Sequence, residues 1–445
     1  MAEPERGVTK KSDPPEKKRV KMTSITEAKD RISKLPDTVI VHILSFRLTE
    51  DVVRTCLLSK RWKFMWYSVP KLFFSDSSDT GPDSQKFYNY IDNCLEHRKK
   101  GMYFIVDSAI ASFKLQMYYC YRRSKARRLD KWLDFAVENK VKELSLRLWP
   151  EKDNVKNDVL SKSLLDCPSL EKLLLTSCHD LSIDNPLQLR SSSLKFMQIL
   201  FSISLQVEAV NLESLLLRDN PVCFEKIKFS ACKAIRNLKL EFCRWSMPDH
   251  SSFADLISNF PLLENLTLEN CYGMSRLGHL KISGQHLKCF NFKNSFDEDN
   301  VIKAITIKSA PKLASFHYDG NMDCSISVES SNLLNGKFVL RKDYSKHDTD
   351  LFIQMVNFLM NLNCSWNMVT LHVWSGQILI MPEGLKRICR SPSLDWKHLR
   401  VVLPDWKHLR FISDWESERE SDFKDTLMWI APSLQTLSIH GKQIF

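Results

Sequence analysis

Lysine, arginine and tryptophan lie close together in the stretch "LSKRWKFMW", residues 58–66. Basic residues interleaved with aromatic ones are typical of nucleic-acid-binding surfaces, because cations pair with phosphates and rings stack on bases. The same spacing also places Trp62, Met65 and Trp66 on one side of a helix, where they would form an apolar stripe. The stretch therefore predicts either a surface for a polyanion or a surface that packs on protein.

Other chemistry-bearing residues are present, but without the spacing that the chemistry requires. The 445 residues include 13 cysteines, 12 histidines and 11 glycines. No C-x-x-C pair, metal-ligand histidine spacing, glycine-rich phosphate loop or nucleophile motif occurs among them. Cysteines used in this way indicate reduced thiols in an intracellular protein. These patterns give no positive evidence for an enzyme, although an enzyme is still possible at this point, and we predict no catalytic residues, no metal and no cofactor.

The net charge of +11 permits a polyanionic partner without requiring one. Part of this charge belongs to residues 1–29, which we predict to be a disordered basic tail. Its "KKRVK" is similar to a nuclear localisation signal, although a solubilising tail is the alternative; the residues concerned are Lys17, Lys18, Arg19 and Lys21. Because we find no secretory segment and no apolar run of 18 residues, we expect a soluble protein of the nucleus, the cytoplasm or both, without membrane contact.

Three short helices are predicted between residues 30 and 74. The first begins at Pro36 or Asp37 and runs to about Phe46, the second is capped by Thr49, and the third is capped by Ser59. Such short helices carry more apolar surface than they can bury among themselves. The surplus predicts an interface with a partner or with the rest of the chain.

The segment "LPDTVIVHILSFRLTEDVVRTCLLSKRW" resembles an F-box, from its L-P-D start through H-I-L-S-F to L-S-K-R-W. The resemblance implies docking on the Skp-type adaptor of a cullin–RING ubiquitin ligase. It assigns to the adaptor contact, or to shaping that contact, Leu35, Pro36, Ile40, Ile43, Leu44, Leu57 and Trp62. Core packing is the alternative for each of them, and we favour the interface for Leu35 and Pro36 because little core precedes the first helix. For Phe46, Val53 and Trp66 core packing is at least as good an interpretation.

Leucine-rich segments recur along the rest of the chain. "LEKLLLTSC" has the pattern L-x-x-L-x-L-x-x-C, and it is one of eight similar segments that begin 18–29 residues apart between residues 141 and 313. This is the period of leucine-rich repeats. Further copies begin at Met368, at Trp396 or Trp406, and at Leu434. The final position takes cysteine in several copies, so we predict that Cys178, Cys243 and Cys271 face inward and satisfy backbone groups.

A leucine-rich solenoid stacks one parallel strand per unit, and alternate strand residues point outward onto a concave face. These outward positions give the candidates for binding a target protein, namely Leu174, Thr176, Leu216, Arg218, Lys239, Glu241, Thr267 and Glu269. We expect Leu174 and Leu216 to be exposed neighbours. The mixture of charges without an aromatic ladder favours a protein or a small molecule over nucleic acid.

Two segments stand apart from the regular pattern. "DWKHLR" occurs at 395–400 and again at 405–410, and we predict that the second copy is an insertion forming a bulge or a hairpin. The basic run at 122–131 leads into "KWLDFAVENK", and we interpret it as the solvated side of a helix that packs through Trp132 and Phe135, with phosphate binding as the alternative.

The order of segments resembles the plant F-box/leucine-rich-repeat family, many members of which carry a further FBD domain; whether this chain has one stays open. We predict an α/β protein with a disordered tail (1–29), a three-helix F-box (30–74), a linker and helical lead-in (75–130) and a curved solenoid (131–445). The resemblance implies the substrate-recognition subunit of a Skp–cullin–F-box ubiquitin ligase that binds an unknown protein target. The alternative is a nuclear nucleic-acid-binding or scaffold repeat protein without a ligase role, although nucleic acid is not the expected partner.

Overall fold

A long parallel sheet runs through most of the computed structural model. The structure describes residues 32, 34–76, 84–102, 109–119, 123–150, 168–176, 187–200, 205–219, 229, 231–244, 257–273, 278–294, 302–329, 332, 334–340, 349–362, 366–375, 380–382, 406–415, 424, 426–428, 431 and 433–444. The candidate nuclear localisation residues and Cys178 lie outside these ranges.

Six helices are defined within the described residues, and three of them come first in the chain. Their bounds are α1 (Asp37–Leu44), α2 (Thr49–Thr55), α3 (Lys60–Ser68), α4 (Ser84–Met102), α5 (Arg123–Glu138) and α6 (Thr349–Met360). Among the described residues, no helix combines the length and the apolarity needed to cross a membrane.

Fifteen strands form the long sheet, in which they follow one another in chain order. In spatial order they are β1 (Lys71–Ser75), β2 (Ser112–Tyr119), β3 (Glu143–Pro150), β4 (Lys172–Thr176), β6 (Phe196–Leu200), β8 (Ser214–Arg218), β9 (Asn237–Glu241), β10 (Asn265–Glu269), β12 (Cys289–Lys293), β14 (Ser315–Gly320), β16 (Leu334–Leu340), β17 (Trp366–Ser375), β18 (His408–Trp415), β19 (Thr436–Ile439) and β20 (Lys442–Gln443). Neighbouring strands are parallel except for β19 and β20, which form an antiparallel pair.

Two smaller parallel sheets are formed by segments between the main strands. One pairs β5 (Leu187–Arg190) with β7 (Leu205–Glu208), and the other has the order β11 (His279–Ser283), β13 (Ala304–Lys308) and β15 (Ser325–Val328). Helices near the N-terminus followed by a stack of parallel strands confirm the predicted α/β solenoid.

Alternation along each strand fixes which side chains enter the core. In β4, Leu173 and Leu175 are buried, whereas Lys172, Leu174 and Thr176 are half-buried on the opposite side. The inward positions of β12 and β14 are aromatic, and the rings of Phe292 and Tyr318 stack at a centroid distance of 5.9 Å. We use the term strand face for the outward side of the fifteen-stranded sheet.

Cysteine thiols after two central strands donate hydrogen bonds to backbone carbonyls, as predicted. The Sγ of Cys243 donates to the carbonyl of Leu217 at 3.5 Å, and the Sγ of Cys271 donates to that of Leu240 at 3.6 Å. Burial raises the pKa of Cys271 to about 12. The thiol of Cys271 is therefore a neutral hydrogen-bond donor of the solenoid rather than a reactive group.

The sheet begins earlier in the chain than the sequence predicts. β1 and β2 belong to it, and they lie before residue 131, in the F-box and linker regions of the prediction. These two strands lack the L-x-x-L-x-L pattern, with "KLFFS" and "SFKLQMYY" in its place, but they keep the alternation that a parallel strand requires. The solenoid therefore starts directly after α3.

The second "DWKHLR" copy does not form the predicted bulge or hairpin. It supplies the start of β18, which pairs in parallel with both β17 and β19, and its Trp406 is buried. A segment with a buried tryptophan and two sheet neighbours behaves as a full repeat unit. The first copy lies outside the described residues.

Candidate protein-interaction surfaces

Helix α3 presents a buried side to the solenoid. Trp62, Met65 and Trp66 are all buried, and the hydroxyl of Ser59 caps the helix by accepting from the backbone N–H of Trp62 at 3.4 Å. The three apolar side chains recur at helical spacing, so they share one side of α3. The aromatic residues of the "RWKFMW" stretch therefore serve packing, whereas its Lys60, Arg61 and Lys63 are exposed.

The C-terminal end of α3 is fixed by a buried arginine from α4. Arg98 donates from Nη1 to the carbonyl of Trp66 and from Nη2 to that of Val69 at 2.8 Å, and its guanidinium lies 5.3 Å from the Trp66 ring centroid. Burial lowers the pKa of Arg98 to about 10. The two carbonyls and the ring offset part of the cost of burying this cation.

Helix α2 is connected to the first strand of the sheet. We predicted Thr49 as the N-cap of α2, but Leu48 occupies that position and the helix has no side-chain cap. The hydroxyl of Thr49 instead accepts a hydrogen bond from the backbone N–H of Phe73 in β1 at 2.8 Å. Since both Thr49 and Trp66 contact the solenoid, the three-helix unit is attached to it through two of its helices.

The opposite side of the three-helix unit is rich in exposed apolar side chains. Of the 13 large hydrophobic residues that are exposed in the described part of the chain, seven lie between residues 32 and 64. Six of them belong to α1, α3 and the turns after α1 and α2, and we call them the outer F-box residues: Val39, Ile43, Phe46, Leu57, Leu58 and Phe64. Val39, Ile43 and Phe46 follow one stripe of α1 and its end.

A short ionic contact fixes the chain before α1. Arg61 on α3 lies 2.5 Å from the carboxylate of Asp37 at the start of α1 and donates to the backbone carbonyl of Leu35 at 2.7 Å. This contact positions Pro36, which is exposed, at the beginning of the same side of α1. Leu35 itself is half-buried against the core, so it has more core to join than the sequence suggests.

The predicted adaptor residues divide into two groups by burial. Ile43 is 43% exposed, Leu57 is 89% exposed and Pro36 is exposed as well, so these three are available to a partner. Ile40, Leu44 and Trp62 are buried in the core of the chain, which leaves them able to shape a contact but not to form one. Sequence reasoning did not single out Val39, Leu58 and Phe64.

The outward positions of the repeat strands form a second surface. Leu174 and Leu216 are both on the strand face, but they are not the exposed neighbours that we expected. Gln198 of β6 lies between them, in register with each, and both leucines are half-buried. The repeat that begins at Leu194 supplies this intervening strand.

The central part of the strand face is a network of opposite charges. Arg218 lies 3.5 Å from Glu241, and Lys239 contacts Glu241 and lies 3.7 Å from Glu269, which in turn lies 2.6 Å from Lys293. Although outward by register, Glu241 is buried under these neighbours. Burial acts to raise the pKa of Glu269, but Lys293 and Lys239 outweigh it and hold that pKa below its usual range.

Amide and hydroxyl groups form a parallel ladder beside this network. Asn265 donates from Nδ2 to Oδ1 of Asn237 at 2.7 Å, and Asn237 donates to Oγ of Ser214 at 2.9 Å. Asn291 donates to Oγ1 of Thr267 at 3.1 Å. The predicted target residues Lys239, Glu241, Thr267 and Glu269 are thus engaged with their own neighbours.

Known protein families match both regions. A sequence model of the F-box domain matches residues 32–74, and one described as "At1g61320/AtMIF1, LRR domain" matches residues 107–246. Neither matching domain belongs to an enzyme family. The chain thus contains a segment similar to an F-box domain, followed by one similar to a leucine-rich-repeat domain.

Curated relatives carry the same two domains in their names. The chain is 28% identical over 299 residues to the putative F-box/LRR-repeat protein At4g15060 of Arabidopsis thaliana. The matched region covers 66% of this chain and 63% of that protein. It is 27% identical over 283 residues to the F-box/FBD/LRR-repeat protein At2g26030 of the same plant, covering 62% and 56%. A third relative, the F-box/LRR-repeat protein At1g55660, is 33% identical over 173 residues, which cover 37% of this chain and 43% of the relative. The chain thus spans only part of the length of the relatives that it matches.

Proposed function

We propose that this chain is the substrate-recognition subunit of a Skp–cullin–F-box ubiquitin ligase. The observation that carries the proposal is the concentration of exposed apolar side chains at the outer F-box residues, on the side of the helices that the solenoid leaves uncovered. A patch of this kind is typical of a protein interface. An F-box domain supplies the class of partner, which is a Skp-type adaptor linked to a cullin–RING ligase.

In this role the chain performs no bond-making step. The F-box holds the adaptor, and the strand face holds the protein to be ubiquitinated. Because α2 and α3 are hydrogen-bonded to the solenoid through Thr49 and Arg98, a target on the strand face would be kept at a fixed position relative to the adaptor. Such tethering raises the effective concentration of target lysines near the charged ubiquitin-conjugating enzyme.

Co-purification of the full chain with a plant Skp-type adaptor tests the proposal. We expect a stable complex with the wild type and a complex weakened at least about 100-fold by Ile43→Asp combined with Leu57→Asp, since two buried carboxylates at an interface are costly. The matched control is Val210→Asp combined with Met360→Asp, which places the same charges on exposed apolar residues outside the F-box. Absence of a complex with the wild type would refute the proposal.

We also propose that the chain acts in the nucleus, the cytoplasm or both. The basic segment with Lys17, Lys18, Arg19 and Lys21 supports nuclear entry. A fluorescent fusion in plant cells in which these four residues are replaced by alanine should lose nuclear signal relative to the wild type, and an unchanged distribution would argue against the signal.

A further inference from the structure

The strand face has a second region, N-terminal to the charge network, with a different composition. We call it the aromatic–cationic patch, formed by outward residues of β2, β3, β4 and β6: Lys114, Tyr118, Arg147, Trp149, Leu174 and Leu200. In register, Tyr118 lies beside Trp149, and Arg147 is separated from Leu200 only by Thr176. The six residues therefore occupy one continuous area of the sheet.

The two cations of this patch have no acidic partner among the residues that the structure describes. Neither Lys114 nor Arg147 forms an ion pair with a carboxylate of the described residues, whereas Arg218, Lys239 and Lys293 in the central network all do. The one carboxylate that the patch's strands place on this face in the described residues, Glu143 of β3, is already 3.2 Å from Lys172. This part of the strand face therefore carries positive charge that nothing in the described structure neutralises.

Aromatic and aliphatic groups lie directly beside these cations. The rings of Tyr118 and Trp149 are 5.3 Å apart, and Tyr118 is 40% exposed. Leu174 and Leu200 are half-buried on the same side of the sheet. Tyrosine, tryptophan and arginine are the residue types that contribute most to binding energy at protein interfaces, particularly when apolar surface surrounds them.

We propose that the aromatic–cationic patch binds an acidic segment of the target protein that also carries an aromatic or aliphatic side chain. Lys114 and Arg147 pair with carboxylates of the segment, and the apolar side chain lies against the exposed ring of Tyr118. This inference rests on the proposed function, since it names the chemistry of the target that the repeats would present to the ligase.

Nucleic acid is the other polymer with negative charge and flat apolar groups, and the geometry favours it less. The guanidinium of Arg147 already lies 5.7 Å from the Trp149 ring centroid, and the ammonium of Lys114 lies 4.4 Å from that of Phe73. Base stacking would have to displace these cations from the rings. A longer phosphate backbone along the strand face would next meet Arg218 and the central network, whose cations are already paired with Glu241 and Glu269.

Selection from a displayed library of random 12-residue peptides tests the proposal on the full chain. We expect enriched peptides to be rich in aspartate or glutamate and to contain at least one aromatic or large aliphatic residue. Fluorescence anisotropy with the enriched peptides then measures affinity, and Lys114→Glu combined with Arg147→Glu should weaken binding by at least about tenfold. The matched control is Lys281→Glu combined with Lys303→Glu, two exposed lysines of the smaller three-stranded sheet region, with affinity unchanged.

Several outcomes would overturn the inference. Enrichment of basic or uncharged peptides, no enrichment at all, or an equal effect of both double variants would contradict it. Tighter binding of a labelled 12-nucleotide oligothymidine than of the acidic peptides would assign the patch to nucleic acid instead. Adaptor co-purification is measured on the same double variants. A retained adaptor complex without peptide selectivity refutes this inference and leaves the proposed function intact. Peptide selectivity without an adaptor complex refutes the proposed function alone. A milder variant, Tyr118→Ala, reports on the patch if the double variant fails to fold.

Discussion

The two sides of the F-box differ in the burial of their apolar residues. On the side toward the solenoid, Trp62, Met65 and Trp66 are buried, and Arg98 satisfies the carbonyls at the end of α3. On the other side, the outer F-box residues are exposed, and Leu57 is 89% exposed. The side toward the solenoid has the properties of a domain core, and the outer side has those of a protein interface. The same short sequence therefore serves both folding and assembly.

The strand face repeats this contrast on a larger scale. Its central charges pair with one another through Glu241 and Glu269, whereas Lys114 and Arg147 have no acidic partner among the described residues. Groups that are already satisfied within the chain contribute little when another molecule approaches, because binding must first break their existing contacts. Unsatisfied groups therefore mark binding surfaces better than outward register alone does.

The largest effect on stability is expected from Trp66→Ala. Removing a buried tryptophan side chain leaves a cavity between α3 and the solenoid and should lower the free energy of unfolding by about 3–5 kcal/mol. Phe64→Ala is the matched control, since Phe64 is on the same helix but exposed, and it should change stability by less than about 0.5 kcal/mol. Urea unfolding followed by tryptophan-independent circular dichroism measures both, and similar losses would mean that α3 has no distinct inner side.

A smaller loss is expected from Arg98→Met, which keeps the length of the side chain and removes its hydrogen bonds. The carbonyls of Trp66 and Val69 would lose their donor, and we expect a loss of about 2 kcal/mol. Arg128→Met on the neighbouring helix α5 removes only a half-buried arginine and should cost less than about 1 kcal/mol. If Arg98→Met left the free energy of unfolding unchanged, the buried guanidinium would not stabilise the end of α3.

Thr49→Val should have an effect of about 1 kcal/mol, because it removes the acceptor of the Phe73 N–H while keeping the shape of the side chain. Thr38→Val, in the exposed part of α1, is the control and should be neutral. Hydrogen exchange of the amide of residue 73 provides a direct readout, since its protection should fall in the first variant alone. Unchanged protection would show that Thr49 does not connect α2 to the sheet.

The smallest expected effect is a dependence of stability on acid pH that originates in the central charge network. The folded-state pKa of Glu269 is held below its ordinary value of 4.5, so its contribution is complete above that value and is lost as the pH falls through the lower, folded-state value. The contribution should be less than about 1 kcal/mol, because the pair with Lys293 is partly exposed. Thermal unfolding between pH 7 and pH 3 measures it, and Glu269→Gln or Lys293→Met should flatten the acid limb. An unchanged acid limb in both variants would show that the Glu269–Lys293 pair does not contribute to the pH dependence of stability.

Much of this architecture could be predicted from the sequence because the repeats follow a regular spacing. The leucines at 170, 173 and 175 and the cysteines at 243 and 271 predicted strands and inward thiols that the structure confirms. The helix cap at Ser59 was also readable, since a serine before an apolar stripe is a common helix start.

What could not be predicted depended on contacts between distant parts of the chain. The sequence around Arg98 gives no sign that its side chain is buried against α3, 32 residues away. Likewise, nothing local shows that Thr49 binds β1 instead of capping its helix, or that Gln198 separates Leu174 from Leu216. The division of the F-box apolar residues into buried and exposed groups also required the position of the solenoid, because helical spacing identifies a side of a helix but not what covers it.

Hydrogen exchange of the full chain, with and without a Skp-type adaptor from Arabidopsis thaliana, tests the central claim most directly. The account predicts slower exchange in the presence of the adaptor for segments 36–48 and 56–64, which contain the outer F-box residues, and unchanged exchange for strands β2 and β3. Slower exchange confined to the repeat strands, or no change in either F-box segment at saturating adaptor, would contradict the account.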